Sequence, residues 1–310
     1  MTNLHQFIGK EYWSLPSGPL NALTDVAGVR VGHTTLIAGD GPLCPGRGPV
    51  RTGVTVVLPH GDNLFRHKVR AAVHTINGFG KACGFEEVRE LGVIEAPIAL
   101  TNTLNVWLVA DAVAQRMVAE NPEIGVQTSS VNALVGECND GYLNDMQGRH
   151  VRAEHVLAAI DNATAGSLIQ GAVGAGTGTS CFGWKGGIGS ASRVLPAVDG
   201  GFTVGALVQS NFGRPEQLMV GGVHVGACLR PPHAANPAPP ERGSIMMVLA
   251  TDAPLTSRQL QRLCVRAAAG IARTGSHIGH GSGDFASAFS TAYRFPHRFD
   301  DEPIPIVHTG

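Results

Sequence analysis

The sequence predicts an α/β fold in which stacked β-sheets are covered by helices. Three observations carry this reading. Strand-length segments are apolar on both faces, most plainly residues 245–250, a short continuous run closed by the turn signal Thr251-Asp252-Ala253-Pro254. Amphipathic helical patterns stand between such segments, and that alternation implies sheets with helices laid over them. Charged residues are only 15% of the 310, against a usual share of about 25%, while 41 are glycine. Such a chain can bury large surfaces and turn its backbone tightly, and its low charge suggests that copies of it cover one another.

The elements follow in order. Residues 1–20 read as an irregular lead-in, and residues 21–33 as a turn and a short strand. Residues 39–52, rich in Gly and Pro, read as a loop. Residues 54–58 and 97–100 read as strands. Val106, Val109, Ala110, Val113 and Met117 recur at helical spacing and predict a helix over 105–120, stopped by Asn121-Pro122. A second helix is expected over 151–163, with Glu154 and Asp161 on its polar side. Residues 171–189 are dense in glycine. Residues 202–208 and 219–225 read as strands, and 231–240, with five prolines, as an extended, solvated linker. After the 245–250 strand, Thr256 and Gln259 have capping-box spacing. They open a helix whose stripe runs through Leu260, Leu263, Cys264, Ala267, Ala268 and Ile271. No internal repeat is visible.

Composition also excludes. The net charge is −1 with no basic block, so no nucleic-acid partner is expected. No apolar run approaches the ~18–20 residues of a membrane span. The start, Met1-Thr2-Asn3-Leu4-His5, lacks the charged and apolar parts of a secretory signal, so a cytoplasmic protein is expected. The six cysteines are scattered without a C-x-x-C pair and read as cytosolic thiols. The thirteen histidines include no H-E-x-x-H, so no metal is expected. Gly174 to Thr179 fails the dinucleotide fingerprint because position 179 is Thr, and Lys185, followed by Gly, fails the P-loop pattern. No cofactor is expected.

The chemistry gathers at Gly243-Ser244, between the proline-rich linker and the buried strand. A serine inside a chain has only its hydroxyl. One that begins a chain also has an α-amine, with a pKa of roughly 7.7–8.0, which can serve as base for that hydroxyl. Gly243, without a Cβ, can adopt unusual backbone angles that expose its carbonyl to Ser244. The plain alternative is a loop ending in Gly before a core strand. In Gly279-His280-Gly281-Ser282-Gly283-Asp284 the glycines expose Ser282 and Asp284 on a tight turn, where the Ser282 hydroxyl could bridge Ser244 to the carboxylate; a local polar turn is the alternative. Residues 137–145 form a second polar knot that includes Tyr142, and Asn211 follows a predicted strand, where its amide could face a developing oxyanion. Each knot alone could be turn chemistry.

Together these residues resemble the DmpA-like self-processing peptidases, that is, the L-aminopeptidase/D-amino-acid esterases and β-peptidyl aminopeptidases of peptidase family S58. The resemblance rests on Asn21 to His33, Gly53-Val-Thr, Pro59-His-Gly, Asn77-Gly-Phe-Gly-Lys81, Thr101-Asn-Thr103, Gly136 to Asp145, Gly174 to Gly187, Asn211-Phe-Gly213, Gly243-Ser244 and Ser282-Gly-Asp284. It spans roughly residues 20–292.

The resemblance implies an αββα four-layer sandwich like the N-terminal-nucleophile hydrolases. It implies one catalytic domain over 1–310, self-cut into a large chain, 1–243, and a small chain, 244–310, with Ser244 as the new N-terminal nucleophile. Ser282 and Asp284 would assist by hydrogen bonding and proton transfer, and Asn211 and Tyr142 would line the site and stabilise the tetrahedral intermediate. Processed pairs would assemble into a homo-oligomer. The expected reaction removes N-terminal residues from short peptides, amides or esters through an acyl-enzyme. Two rivals stand beside it: an acyltransferase like the ornithine acetyltransferases, which cut before Thr, and an inactive oligomeric binding protein. The second is motivated by the C-terminus. Relatives continue past Ala288 to Thr291 to a final helix, whereas Pro303 and Pro305 exclude one here.

Overall fold

The computed structural model describes residues 13–232 and 242–297. Along the chain come strands β1 (Arg30–Ala38), β2 (Val50–Leu58), β3 (His67–Gly78) and β4 (Ala82–Cys83), helix α1 (Phe85–Leu91), β5 (Val93–Ile94) and β6 (Ile98–Asn102). Then follow α2 (Val106–Glu120), β7 (Leu134–Cys138), α3 (Ala153–Asp161), β8 (Ser180–Cys181), β9 (Trp184–Lys185), β10 (Gly187–Val194) and β11 (Thr203–Asn211). The last are β12 (Arg242–Thr251), α4 (Ser257–Arg273) and β13 (Gly281–Pro296).

Two large sheets form, in the orders β1-β2-β6-β7-β4 and β10-β11-β12-β13-β3-β5. Their stacking follows from side-chain alternation. Val31, Val57, Leu100 and Leu134 of the first sheet meet Val73, Leu207, Met246, Val248, Phe285 and Phe289 of the second in one core between the sheets. The intervening residues turn outward. Val54, Val56 and Val135 pack under α2 and α3, against Val109, Val113, Val156 and Ile160. Ile245, Met247, Ala286 and Ala288 pack under Leu260, Cys264 and Ile271 of α4. The order of layers is therefore α-β-β-α, as expected. Central strands that must be apolar on both sides explain the continuous run at 245–250.

The two crossovers that matter to the site are parallel. β6 returns to β7 through α2, and β12 returns to β13 through α4. The α4 start is as read: Thr256 Oγ1 accepts from Gln259 N at 3.3 Å while Gln259 Oε1 accepts from Thr256 N at 2.9 Å.

Some expectations are corrected. The strand expected at 219–225 does not form; Val220 and Val223 make one bridge, and the 3-10 turn Val225–Ala227 follows. Its backbone is tied instead to neighbouring segments, Met219 N to Thr274 O and Gly226 N to Leu218 O. Ser282 and Asp284 lie on no tight turn, because β13 begins at Gly281 and both side chains are buried. Most of the proline-rich linker and all residues from 298 on, including Pro303 and Pro305, lie outside the described residues.

Candidate active site

Ser244 is the third residue of β12 and is 2% exposed. Its neighbours come from both sheets. In register on β11 stands Asn211, whose Nδ2 lies 3.4 Å from Ser244 Oγ. From the facing sheet, the N–H of Asn139, just past the end of β7, donates to the same oxygen at 3.1 Å. Two donors thus converge on one hydroxyl. The amide end that Asn211 presents is set by its other partner: Ser180 N–H donates to Asn211 Oδ1 at 3.0 Å, which leaves the NH2 for Ser244.

Gly243 corrects the reason given for it. It lies within β12 and has no left-handed backbone angle. A Cβ there would stand 2.6 Å from Asn211 O and 2.8 Å from Phe212 Cα. Glycine is required because β11 passes so close, and that closeness sets Asn211 beside Ser244.

On the other side of Ser244 runs β13, in parallel register: Gly243 with Ser282, Ser244 with Gly283, Ile245 with Asp284. Ser282 Oγ donates to Asp284 Oδ1 at 2.7 Å. By alternation, Ser244 shares the inter-sheet side with Met246 and Phe285, whereas Ser282 and Asp284 share the side of Ala286 and Ala288. The pair therefore stands astride the Gly243–Ser244 peptide but across the sheet from the Ser244 hydroxyl. Gly283 has no room for a side chain: a Cβ would meet Gly80 Cα at 2.8 Å and Phe79 O at 2.9 Å. This brings the 77–81 motif against the site, where Asn77 Nδ2 lies within hydrogen-bonding reach of the carbonyls of Gly279, His280 and Ser282.

Residues 137–145 are a closed polar knot. Glu137 accepts from Lys81 N at 3.1 Å and from the Thr103 hydroxyl. Asn144 Nδ2 donates to Asp140 Oδ1 at 3.0 Å, and Asn144 Oδ1 accepts from Arg51 N at 2.9 Å. These bonds hold the loop that carries the Asn139 N–H. Tyr142 stands on its outside, 77% exposed, rather than in the core. Sequence reasoning missed Asn139, because a backbone N–H carries no residue signature. Asn77, read only within the 77–81 motif, was also not singled out there. Cys138, beside Ser244, donates its S–H to Gln209 O at 3.3 Å. Burial pushes its thiol well above the ordinary range, so it is uncharged and no competing nucleophile. Among the described residues no group of three or more His, Cys, Asp or Glu stands where a metal could be held.

Burial raises the Asp140 carboxyl to about 6, against hydrogen bonds from Thr52, Asn144 and Asn102 that hold it down. With the folded value above the ordinary one, the folded chain keeps a proton that the unfolded chain releases. Stability from this group is full below about pH 4 and is lost as pH rises through about 6. The melting temperature of Asp140→Asn should therefore gain on wild type as pH rises from 4 to 7. A difference that is flat across that window would contradict this assignment.

Three comparisons bear on this geometry. The model of peptidase family S58 matches residues 21–309. The chain is 44% identical over 289 residues to β-peptidyl aminopeptidase BapA of Sphingosinicella xenopeptidilytica, covering 90% of this chain and 71% of that one. Among solved structures, the PH0078 protein of Pyrococcus horikoshii OT3 matches with a TM-score of 0.92 at 50% identity, covering 100% of this chain and 85% of its own. The L-aminopeptidase D-Ala-esterase/amidase of Ochrobactrum anthropi, described as a prototype of the serine aminopeptidases and a variant of the Ntn hydrolase fold, matches with a TM-score of 0.84. It is 37% identical, with 96% and 80% coverage.

Proposed function

The chain belongs to peptidase family S58 and is a serine aminopeptidase of the Ntn hydrolase type, and from that premise we propose that it cuts itself between Gly243 and Ser244 and works through the α-amine so released. The observation that carries this reading is the convergence at Ser244. Its hydroxyl meets two donors, and a hydrogen-bonded Ser-Asp pair lies on the neighbouring strand in register with the residues on either side of it. The freed amine takes the proton of the Ser244 hydroxyl, which attacks the carbonyl of the substrate's N-terminal residue. Asn211 and the Asn139 N–H stand where negative charge on that carbonyl oxygen can be met. Collapse of the tetrahedral intermediate breaks the substrate's C–N bond, the Ser244 ammonium returns its proton to the leaving amine, and water then hydrolyses the ester on Ser244, which regains its hydroxyl.

Ser282 and Asp284 serve the amine rather than the hydroxyl, in keeping with their side of the sheet. Ser282→Ala and Asp284→Asn are each expected to lower kcat by about 10²–10⁴-fold with a smaller change in KM. Near-full kcat in folded, processed variants would reduce both to packing residues. Substrates are short peptides, amides or esters with a free N-terminal residue. The β-peptidyl aminopeptidase relative makes β-residues the first to try. Tyr142, exposed on the loop beside Asn139, is proposed to orient the substrate. We also place the enzyme in the cytoplasm, where the exposed thiols of Cys44 and Cys228 stay reduced, as a homo-oligomer of processed pairs. No helix among the described residues is long and apolar enough to cross a membrane.

Intact-mass measurement on purified protein tests the reading. It should find chains of residues 1–243 and 244–310. An active protein that remains whole would overturn it.

A further inference from the structure

We propose that Lys185 is a positioning residue for the nucleophile: it pins the glycine-rich backbone so that the Ser180 N–H holds the Asn211 amide with its NH2 toward Ser244. The inference rests on the reading of Asn211 as a donor to the reaction.

Lys185 is the lysine that failed the phosphate-loop pattern, and the structure gives it other work. Its ammonium donates to three backbone carbonyls, Gly176 O at 3.0 Å, Thr179 O at 2.8 Å and Gly186 O at 2.9 Å. Three donors meet three acceptors, so the group is fully used. Burial lowers it to about 8, with the Asp140 carboxylate pulling the other way. A cation partly withdrawn from water in this way is held by its bonds. Those bonds tie the turn at 174–179 to the β8–β9 hairpin, in which Ser180 pairs directly with Lys185.

The hairpin turn is Phe182-Gly183, both with positive φ, as a two-residue turn of this hand requires. Phenylalanine is unusual there, and its ring is anchored edge-on against Phe212 at 5.2 Å, while Phe182 N donates to Phe212 O at 2.8 Å. The hairpin is therefore fixed to the end of β11 at one point and to the glycine turn at another. Ser180 N–H lies between the two anchors. The two ends of an asparagine amide are alike in shape, and only their partners tell them apart. If Ser180 shifts, Asn211 is free to turn its oxygen toward Ser244, which removes a donor and places an acceptor there.

Lys185→Met keeps the stem and removes the three bonds. On processed enzyme, with the free Ser244 terminus quantified, it is expected to lower kcat by about 10- to 100-fold, as small displacements of reacting groups do, with KM within about twofold. In an Asn211→Ala background it should have no further effect on kcat, because both changes remove one contribution. Lys185 also lines a cavity of about 360 Å³ with Arg51, Leu143 and Thr177. A raised KM at unchanged kcat would make it a substrate contact there and overturn the proposal. So would kcat losses that multiply in the double variant. An Asn211→Ala enzyme with wild-type kcat would instead sink the reading of Asn211 itself. Should the methionine variant misfold, Lys185→Gln replaces it; loss of the fold in both assigns Lys185 to stability alone and overturns the proposal.

Discussion

Ser244→Ala is expected to remain one chain where the wild type becomes two, and to lose aminopeptidase activity by about 10⁴–10⁶-fold. The same oxygen is asked to do two things. On the proposed reading it attacks the Gly243 carbonyl in the precursor and the substrate in the mature enzyme. Both fail together when Oγ is removed, because one atom serves both attacks, and the neighbouring Cys138 thiol is held protonated by burial. The variant should still fold. It leaves the Asn139 N–H and the Asn211 amide short of one acceptor, at a cost of about 1–3 kcal/mol for a buried unpaired group. Gel electrophoresis and intact mass read the cut, and hydrolysis of an amide panel reads the activity. A Ser244→Ala chain cut at the same bond would overturn the assignment of the nucleophile.

The second large effect belongs to Asn211. Acyl transfer drives negative charge onto the substrate carbonyl oxygen, and a fixed amide donor in a dry site meets that charge without reorganising. Asn211→Asp keeps the size and keeps an acceptor for Ser180 N–H, but it turns the NH2 that faces Ser244 into an oxygen. Loss of one such donor costs about 10²–10³-fold in kcat, or about 2.7–4 kcal/mol. The melting temperature should stay within a few degrees, since Ser180 N–H and the Ser244 hydroxyl can both donate to the new carboxylate. Processing runs through a similar tetrahedral centre and should slow as well, so rates are to be taken per free Ser244 terminus. Wild-type turnover per terminus would remove Asn211 from the reaction.

The parts of the fold that were legible in the sequence are those whose burial is one-sided or complete. The α4 stripe and its Thr256 cap, the α2 periodicity and the apolar run of β12 all carry their environment in their pattern. β13 does not. Its first residues, Gly281-Ser282-Gly283-Asp284, have turn composition, yet they are strand because they pair with residues 242–245 of β12, two of them also pair with Asn77 and Gly78 of β3, and Gly283 lets Gly80 pass close by. β3 was missed because His67, Lys68, Arg70 and His74 interrupt the residues that face the two cores, Val69, Ala71 and Val73 on one side and Ala72 on the other. At the site, Ser244, Ser282, Asp284 and Asn211 were legible as residues and by resemblance. Their division between the two sides of the sheet was not, because it depends on register, which no single segment encodes. The Asn139 N–H and the three carbonyls on Lys185 are backbone groups, silent in any sequence.

The strand order has a last consequence. β12 from Ser244 onward and all of β13 lie side by side in the middle of a sheet whose flanking strands, β11 and β3, come from upstream. If the proposed cut is made, the small chain's two strands sit wedged between β11 and β3 of the large chain, and the six-stranded sheet is complete only with both polypeptides. Dissociation of a mature molecule would open the core between the sheets and the core under α4, since both take residues from each side of the cut. The way back differs. A continuous precursor recovers its fold by a first-order search, whereas denatured mature halves must first find each other, so their recovery falls with dilution. If the proposed cut is made, maturation would work as a ratchet: the fold is reached once, as a single chain, and kept thereafter by the slowness of leaving it.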